Sequence, residues 1–422
     1  MGVRKLLYSI GLVATFITTG FAQTDTLRLL QYNLLNYGDN VNPSFYKDIR
    51  LNTIIQYVQP DVFSANEIYQ NASLQNNILT SVLDTNWQKG TYVNTNNQVQ
   101  TNMLFWRKDK LALISQTTVS HLLRDIIAFK FYYRGVAMST TDTVFLTVIV
   151  AHLKASSDTN SAKLRKQEVE TVTNYVSSLN KGGNYIFVGD FNIYENTEEA
   201  YKGMSNHINT HARFYDPVNR AGIWHNNNAF ADLHTQSTRS TNLTDGGVSG
   251  GMDDRFDFIL TSDHILNDSS GIKYISGSYK TLGQDGKHFN KSINDIPTNT
   301  SAPVNVIQAL YEMSDHLPVY ADFVVKPKNG LRIATANWQN KQLVKVVNPF
   351  DNMIRIFWDE SLVGNKVTVS LCAIDGSMIL HDNHEIKSTS ENIVIEGNMP
   401  EGLYFLQVKT GKDRLIKKLI KR

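Results

Sequence analysis

Apolar runs that break off at a polar residue recur along the first three quarters of the chain. "TLRLLQYN" (26–33), "DVFSANE" (61–67), "TNMLFWRKD" (101–109), "DIIAFKFYYRG" (125–135), "TVFLTVIVAH" (143–152), "YIFVGDFN" (185–192), "RFDFILTS" (255–262) and "LPVYADFVV" (317–325) are rich in β-branched and aromatic residues and predict strands. Helical spacing of Ile49, Ile54, Tyr57 and Val58 predicts a helix after the first strand, ended by Pro60. A short helix is expected after Glu67. A longer one is predicted over 161–179, with Val169, Val172, Val176 and Leu179 on one face and Lys163, Lys166 and Glu170 largely outside it. Several strands follow one another with no helix between them, which excludes a purely parallel sheet. Two mixed sheets packed together and covered outside by helices fit this order. Residues 201–250 and 270–310 are long and polar, with little regular pattern, and such loops are usually functional or mobile.

From about Asn348 the texture changes. "MIRIFW", "KVTVSLCAI", "NIVIEG", "LYFLQVKT" and "RLIKKLIKR" are short alternating strands parted by Gly, Asn and Asp turns, the pattern of a small all-β sandwich. "KPKNG" (326–330) opens a linker, placed at 326–345. The length of 422 residues suits one large and one small domain, here 26–325 and 346–422.

The first residues read as an export signal. Arg4 and Lys5 precede "LLYSIGLVATFITTG", and Ala22 supplies a small residue for cleavage, so residues 1–22 are expected to be a signal peptide. The apolar run is short for a membrane span, and no stable membrane insertion is expected. Removing those two basic residues from 41 leaves 39 Lys and Arg against 39 Asp and Glu. A formally neutral chain lacks the clustered positive charge of a strongly nucleic-acid-binding surface, though brief catalytic contact with nucleic acid is compatible with it. The single cysteine, Cys372, cannot form an internal disulfide and is read as a buried, inert thiol.

Asn33, Glu67, His152, Asp190, Asn192, Asp257, Asp315 and His316 follow or interrupt apolar strands. Each has an ordinary explanation alone: Asn33 in a turn, Glu67 as a solvated strand end, His152 as a core histidine, "SDH" at 314–316 as a loop cap. Together they supply metal-assisted phosphoryl hydrolysis. Glu67 suits a hard divalent cation, with Asn33 and Asp315 as neighbours. Asp190 suits an acceptor for the proton of an attacking water. Asn192, His152 and His316 suit donors to the phosphoryl oxygens, and Asp257 suits a support for the His316 ring. Asp190 and Asn192 are read as sharing one side of a turn at Gly189, with Phe191 directed into the core.

With these residues in view, "YNLLNYG", "ANE", "VAHLKA", "VGDFNIY", "DRFDFILTS" and "SDHLPVYADF" resemble, in order, the endonuclease/exonuclease/phosphatase superfamily over roughly residues 26–325. The resemblance implies a four-layered α/β sandwich and a requirement for Mg²⁺ or Mn²⁺, with Ca²⁺ as a further option. It implies a metal-binding Glu67, a phosphate-contacting His152, and Asp257 supporting His316. Arg124 resembles a phosphate-contacting arginine that precedes a strand in the deoxyribonucleases. Many members carry Gln where this chain has Asn66. His316 competes with Asp190 for the role of base. The expected activity is a secreted phosphodiesterase, foremost a nuclease on DNA or RNA, and the expected state is a monomer. Alternatives are a phospholipid or small-phosphoester hydrolase, for which Trp224 and Phe230 would be docking aromatics, and a non-catalytic surface binding protein. "HTQSTRS" (234–240) and the Gly-rich loop after it are expected near substrate, without an assigned role. Residues 346–422, through "NPFDNMIRI", "VSLCAIDGSMIL", "MPEGLYFLQVKTG" and "KKLIKR", resemble the sorting domain of the type IX secretion system, which implies that machinery as a partner and a secreted or cell-surface location.

Overall fold

The structure, a computed structural model, describes residues 25–134, 143–326, 343–373, 377–395, 399–410 and 413–422. The expected signal peptide and most of the expected linker lie outside the described residues. The chain divides into two compact units, one up to Lys328 and one from Asn329.

In the first unit β1 (Asp25–Tyr37) leads into α1 (Ser44–Val58), β2 (Val62–Tyr69), α2 (Ala72–Asn77), β3 (Trp87–Lys89), β4 (Gln100–Arg107), β5 (Leu111–Ser120), β6 (Ile126–Tyr133), β7 (Phe145–His152), α3 (Thr159–Ser178), β8 (Tyr185–Asp190), α4 (Glu199–Ser205), β9 (Asp257–Thr261), α5 (Asp263–Leu266), β10 (Ile272–Tyr274), β11 (Lys280–Thr281), α6 (Val304–Met313) and β12 (Val319–Val325). One sheet runs β10-β12-β1-β2-β4-β3, with β11 also on β12; the other runs β5-β6-β7-β8-β9. Each contains one parallel pair, β1 with β2 and β7 with β8. This is the expected sandwich of two mixed sheets between helices.

Three apolar layers hold it together, and the period of two along each strand explains them. Leu30, Tyr32 and Leu34 of β1 face α1 and α6, whereas Leu27 and Leu29 face the second sheet. On β8, Ile186 and Val188 face the first sheet, and Tyr185 and Phe187 face α3. Burial of these layers is the main stabilising term, since the chain has no disulfide.

Some expectations are corrected. The inward stripe of α1 is Lys47, Leu51, Ile54, Ile55 and Val58, whereas Ile49 and Tyr57 are 67% and 44% exposed. Leu179 lies past the last turn of α3 and is exposed; Val169, Val172 and Val176 carry its packing. Asp158 starts that helix by accepting from the backbone N–H groups of Asn160 and Ser161. Strand β5 and helix α6 are additional; α6 lies in a tract read as loop, because Pro303 begins it and its apolar residues only become a stripe once packed on α1. Gly189 is not a turn. It pairs within β8, and a Cβ there would fall 1.8 Å from the Ala151 carbonyl oxygen, so only glycine permits this approach of β7 to β8.

The second unit is all-β. A sheet β13-β14-β17 (Val344–Val346, Met353–Trp358, Ser390–Val394) and a sheet β16-β15-β18-β19 (Met378–Glu385, Lys366–Ala373, Gly402–Thr410, Asp413–Lys421) enclose Ile354, Ile356, Trp358, Val369, Leu371, Leu406 and Val408. Strand β13 is additional to those read from the sequence. Cys372 is partly exposed rather than buried.

Candidate active site

The layer between the sheets changes character along the strands. In β1 the inward positions run Leu27, Leu29, Gln31, Asn33. In β2 they run Val62, Ser64, Asn66. In β7 they run Leu146, Val148, Val150, His152, and in β8 Ile186, Val188, Asp190. The site is thus the polar end of the central apolar layer, and neighbouring strands bring it together.

Asn33 is its hinge. Its Nδ2 donates to Asp190 Oδ2 at 2.9 Å and to Glu67 Oε1 at 3.0 Å, and its Oδ1 accepts from the Leu35 backbone N–H. His152 Nε2 lies 3.4 Å from Asp190 Oδ2 and 3.9 Å from Glu67 Oε1. His316 Nε2 lies 3.7 Å from the same Asp190 oxygen, while its Nδ1 is 2.7 Å from Asp257 Oδ2. Asn192 donates its backbone N–H to Asp190 Oδ1 and its side-chain amide to the Leu153 carbonyl. Phe191 points the other way and stacks on Phe258. Asp315 accepts from Gln236 Nε2 at 2.9 Å and from the Val248 N–H at 2.8 Å. The Arg124 guanidinium is clamped on Gln100 Oε1 and reaches the carbonyls of His152 and Leu153 at 3.5 and 3.4 Å. All nine expected residues therefore border one region.

Glu67 breaks the period of two. By alternation it should face α1 with Phe63 and Ala65. The pairing of β2 shifts register on both edges here, and Glu67 takes a left-handed φ of 57°, which turns its carboxylate into the site. Asn192, at φ 51°, is the second site residue in that region. Such conformations cost energy and persist where surrounding structure enforces them.

Burial raises the Glu67 carboxyl above its usual range, and the nearby Asp315 adds to this. Burial pushes Asp190 up to about 7 against the opposing pull of His316. Burial also holds His152 well below the usual histidine value, with Arg124 adding to it, so its ring is neutral. For His316 burial opposes the charge, but Asp257 and Asp190 outweigh it and hold the ring well above the usual value, as imidazolium.

Sequence reasoning missed the supports. Asn66 Oδ1 accepts from Gln31 Nε2 and from the Asp190 backbone N–H; its Nδ2 donates to Asn102 Oδ1 and the Ala151 carbonyl. The residue that departs from the superfamily pattern is fully hydrogen-bonded and ties the two sheets. Asn66→Ala should cost about 4 kcal/mol, because several buried groups lose partners, and lower Tm measured by calorimetry by on the order of 10 °C. Lys47, buried, donates to the carbonyls of Leu34, Leu35 and Met313 and fixes the backbone beyond Asn33. A lysine on the inward stripe of α1 was the available signal; Gln236, in irregular chain, had none. The "HTQSTRS" tract is buried except for Ser240; its Gln236 side chain lies 2.8 Å from His316 Nε2, while Thr235 Oγ1 accepts from the Asp257 N–H and the Thr238 N–H donates to the Asp315 carbonyl.

The sequence profile of the Endonuclease/Exonuclease/phosphatase family matches residues 30–316. The chain belongs to the endonuclease/exonuclease/phosphatase family. As a member it is a hydrolase of phosphoester bonds, of a family that uses divalent metal. Residues 348–422 match the secretion system C-terminal sorting domain, which implies interaction with the type IX secretion system and a secreted or cell-surface location. No curated protein matches the chain. Among solved structures it is similar to a family protein of Bacteroides vulgatus (13% identity, TM-score 0.47, covering 72% of this chain and 100% of that one). It is also similar to one of Bacteroides thetaiotaomicron (13%, 0.46, 72% and 99%) and to the human nocturnin catalytic domain with bound sulfate (16%, 0.43, 72% and 97%). Among the described residues no helix is long and apolar enough to cross a membrane.

Proposed function

We propose that this family member is an exported, divalent-cation-dependent phosphodiesterase acting on nucleic acid. The observation that carries the reading is the division of labour around Asn33: a carboxyl poised near neutrality, Asp190, stands beside a histidine held as a cation, His316. A proton acceptor must be able to ionise at working pH, and Asp190 can. His316, already protonated, is suited to phosphoryl oxygens rather than to accepting a proton. This favours Asp190 over His316 as base. His152, Asn192 and Arg124 line the same region as further donors.

The donor set fits Mg²⁺ or Mn²⁺. Glu67 and Asp315 are oxygen donors, and burial together with the nearby Asp315 already disfavours the charge on Glu67, which a cation relieves. Asn33 presents its amide nitrogen to the carboxylates, so we assign it the orientation of Glu67 and Asp190. A divalent ion there supplies charge neutralisation to the phosphoryl group.

Nucleic acid is preferred over lipid because, of the two expected docking aromatics, Trp224 is buried and donates to the Ile193 carbonyl, and Phe230 is partly buried against the same core cluster. We place the catalytic domain at 26–325, the linker at 326–345 and the sorting domain at 346–422, behind a leader at 1–22. The test is a panel of duplex DNA, RNA, sphingomyelin liposomes and inositol polyphosphates, after chelation and after refilling with Mg²⁺, Mn²⁺ or Ca²⁺. The expected result is cation-dependent cleavage of nucleic acid, lost in Asp190→Ala and His316→Ala. Equal activity in all three proteins overturns the reading.

A further inference from the structure

The tripeptide Ser-Asp-His occurs twice: at 314–316, in the site above, and at 262–264, after β9. The second copy lies near the opposite end of β8 from Asp190. That strand spans Tyr185–Asp190, on the order of 17 Å at the usual rise per residue. Here His264 meets His211, from the short turn Thr210–Ala212, with ring centroids 5.6 Å apart. Asp263 Oδ1 is 4.0 Å from His264 Nε2. One ligand atom from each of the three lies within 4.8 Å of the others.

We propose that His211, Asp263 and His264 form a zinc-binding site separate from the hydrolytic centre. Three independent features point to it. Asp263 Oδ1 is shielded from solvent and has no hydrogen-bond partner. His264 Nδ1 is bonded to Ser270 Oγ at 2.8 Å and Ser269 Oγ at 2.9 Å, which fixes the ring with Nε2 toward the cluster, as second-layer partners do for metal-bound histidines. Gly182 packs directly against it, where any side chain would collide with the ligand atoms: a Cβ there would fall 2.2 Å from His264 Nε2 and 2.9 Å from His211 Nδ1.

Two imidazoles and one carboxylate are a donor set for zinc or a neighbouring late first-row ion, not for Mg²⁺. Tetrahedral zinc holds such donors about 3.4 Å apart, so the cluster must close by up to about 1.4 Å. His211 is exposed and free to swing inward. The frame is already tied. Ser262 Oγ accepts from the Tyr185 N–H and donates to the Gly183 carbonyl, and Tyr215 pairs with Thr261. Zinc would clip the 205–215 segment to the end of β9 in a protein whose single cysteine rules out an internal disulfide.

The test uses the full chain, stripped with chelator and titrated with ZnCl₂ in equilibrium dialysis and thermal melts. The comparison is wild type, His211→Ala, Gly182→Ala and Glu67→Gln. The expected result is one zinc equivalent lost in His211→Ala and weakened at least tenfold in Gly182→Ala, which keeps all three ligands. Glu67→Gln should retain that equivalent. Wild type should gain on the order of 5 °C in Tm at a hundredfold excess over the dissociation constant, and His211→Ala should lose that gain. His211 is at the surface, so its replacement leaves the fold intact. Unchanged zinc stoichiometry and Tm gain in His211→Ala overturn the proposal, and so does loss of the same equivalent in Glu67→Gln.

Discussion

Asp190→Asn should reduce turnover about a thousandfold while removing a pH-dependent weakness from the cation-free protein. The catalytic loss follows from deleting the proton acceptor in a site where Asn33, His152 and His316 all converge on Asp190 Oδ2. The stability effect follows from linkage. Asp190 titrates near 7 in the folded chain, raised from 3.8 by burial. Its contribution is fully favourable below pH 3.8 and is lost as pH rises through 7, because the folded state resists ionisation. Three units correspond to about 4 kcal/mol. The stability of Asp190→Asn relative to wild type should therefore grow by about 4 kcal/mol between pH 4 and pH 8, read from urea unfolding in chelator. Parallel stability curves for the two proteins would refute this account of Asp190.

The second large effect is expected from Asp257→Asn. Asp257 touches no expected position of substrate; it is buried and holds His316 Nδ1 at 2.7 Å. Removing its charge lets burial dominate and drops His316 out of its cationic form. Activity at pH 7 should fall about a hundredfold, and the alkaline limb of the pH–rate profile should move down toward neutrality. The acid limb, set by Asp190, should move little, because losing the His316 charge raises Asp190 while losing the Asp257 charge lowers it. A uniform loss of activity at every pH would mean that Asp257 serves packing alone.

Much of this site was legible beforehand, for a definite reason. Strands alternate, so Asn33, Asp190 and His152 continue the same inward rows as Leu29, Val188 and Val150, and a polar residue ending an apolar row is visible in the letters. Lys47 and Leu51 show the limit on helices: the inward stripe of α1 depends on where α6 lies, and the apolar Ile49 and Tyr57 suggested another face. Cys372 shows the limit on exposure: Val367, Val369 and Leu371 of β15 face the core, so Cys372, out of phase with them, lies on the outer face of its sheet.

The sequence alone determined the inward rows, the two mixed sheets, the β-sandwich and the chemistry of the nine polar residues, because these depend on local alternation and side-chain type. Only the tertiary structure decided that Glu67, out of phase with its strand, turns inward, since its bulge arises from pairing with β1 and β4. Packing likewise set Asn66 as the bridge between sheets, and burial among fixed charges made Asp190 near-neutral and His316 cationic. Those properties belong to groups brought together from distant parts of the chain, and no local pattern encodes the distance between them.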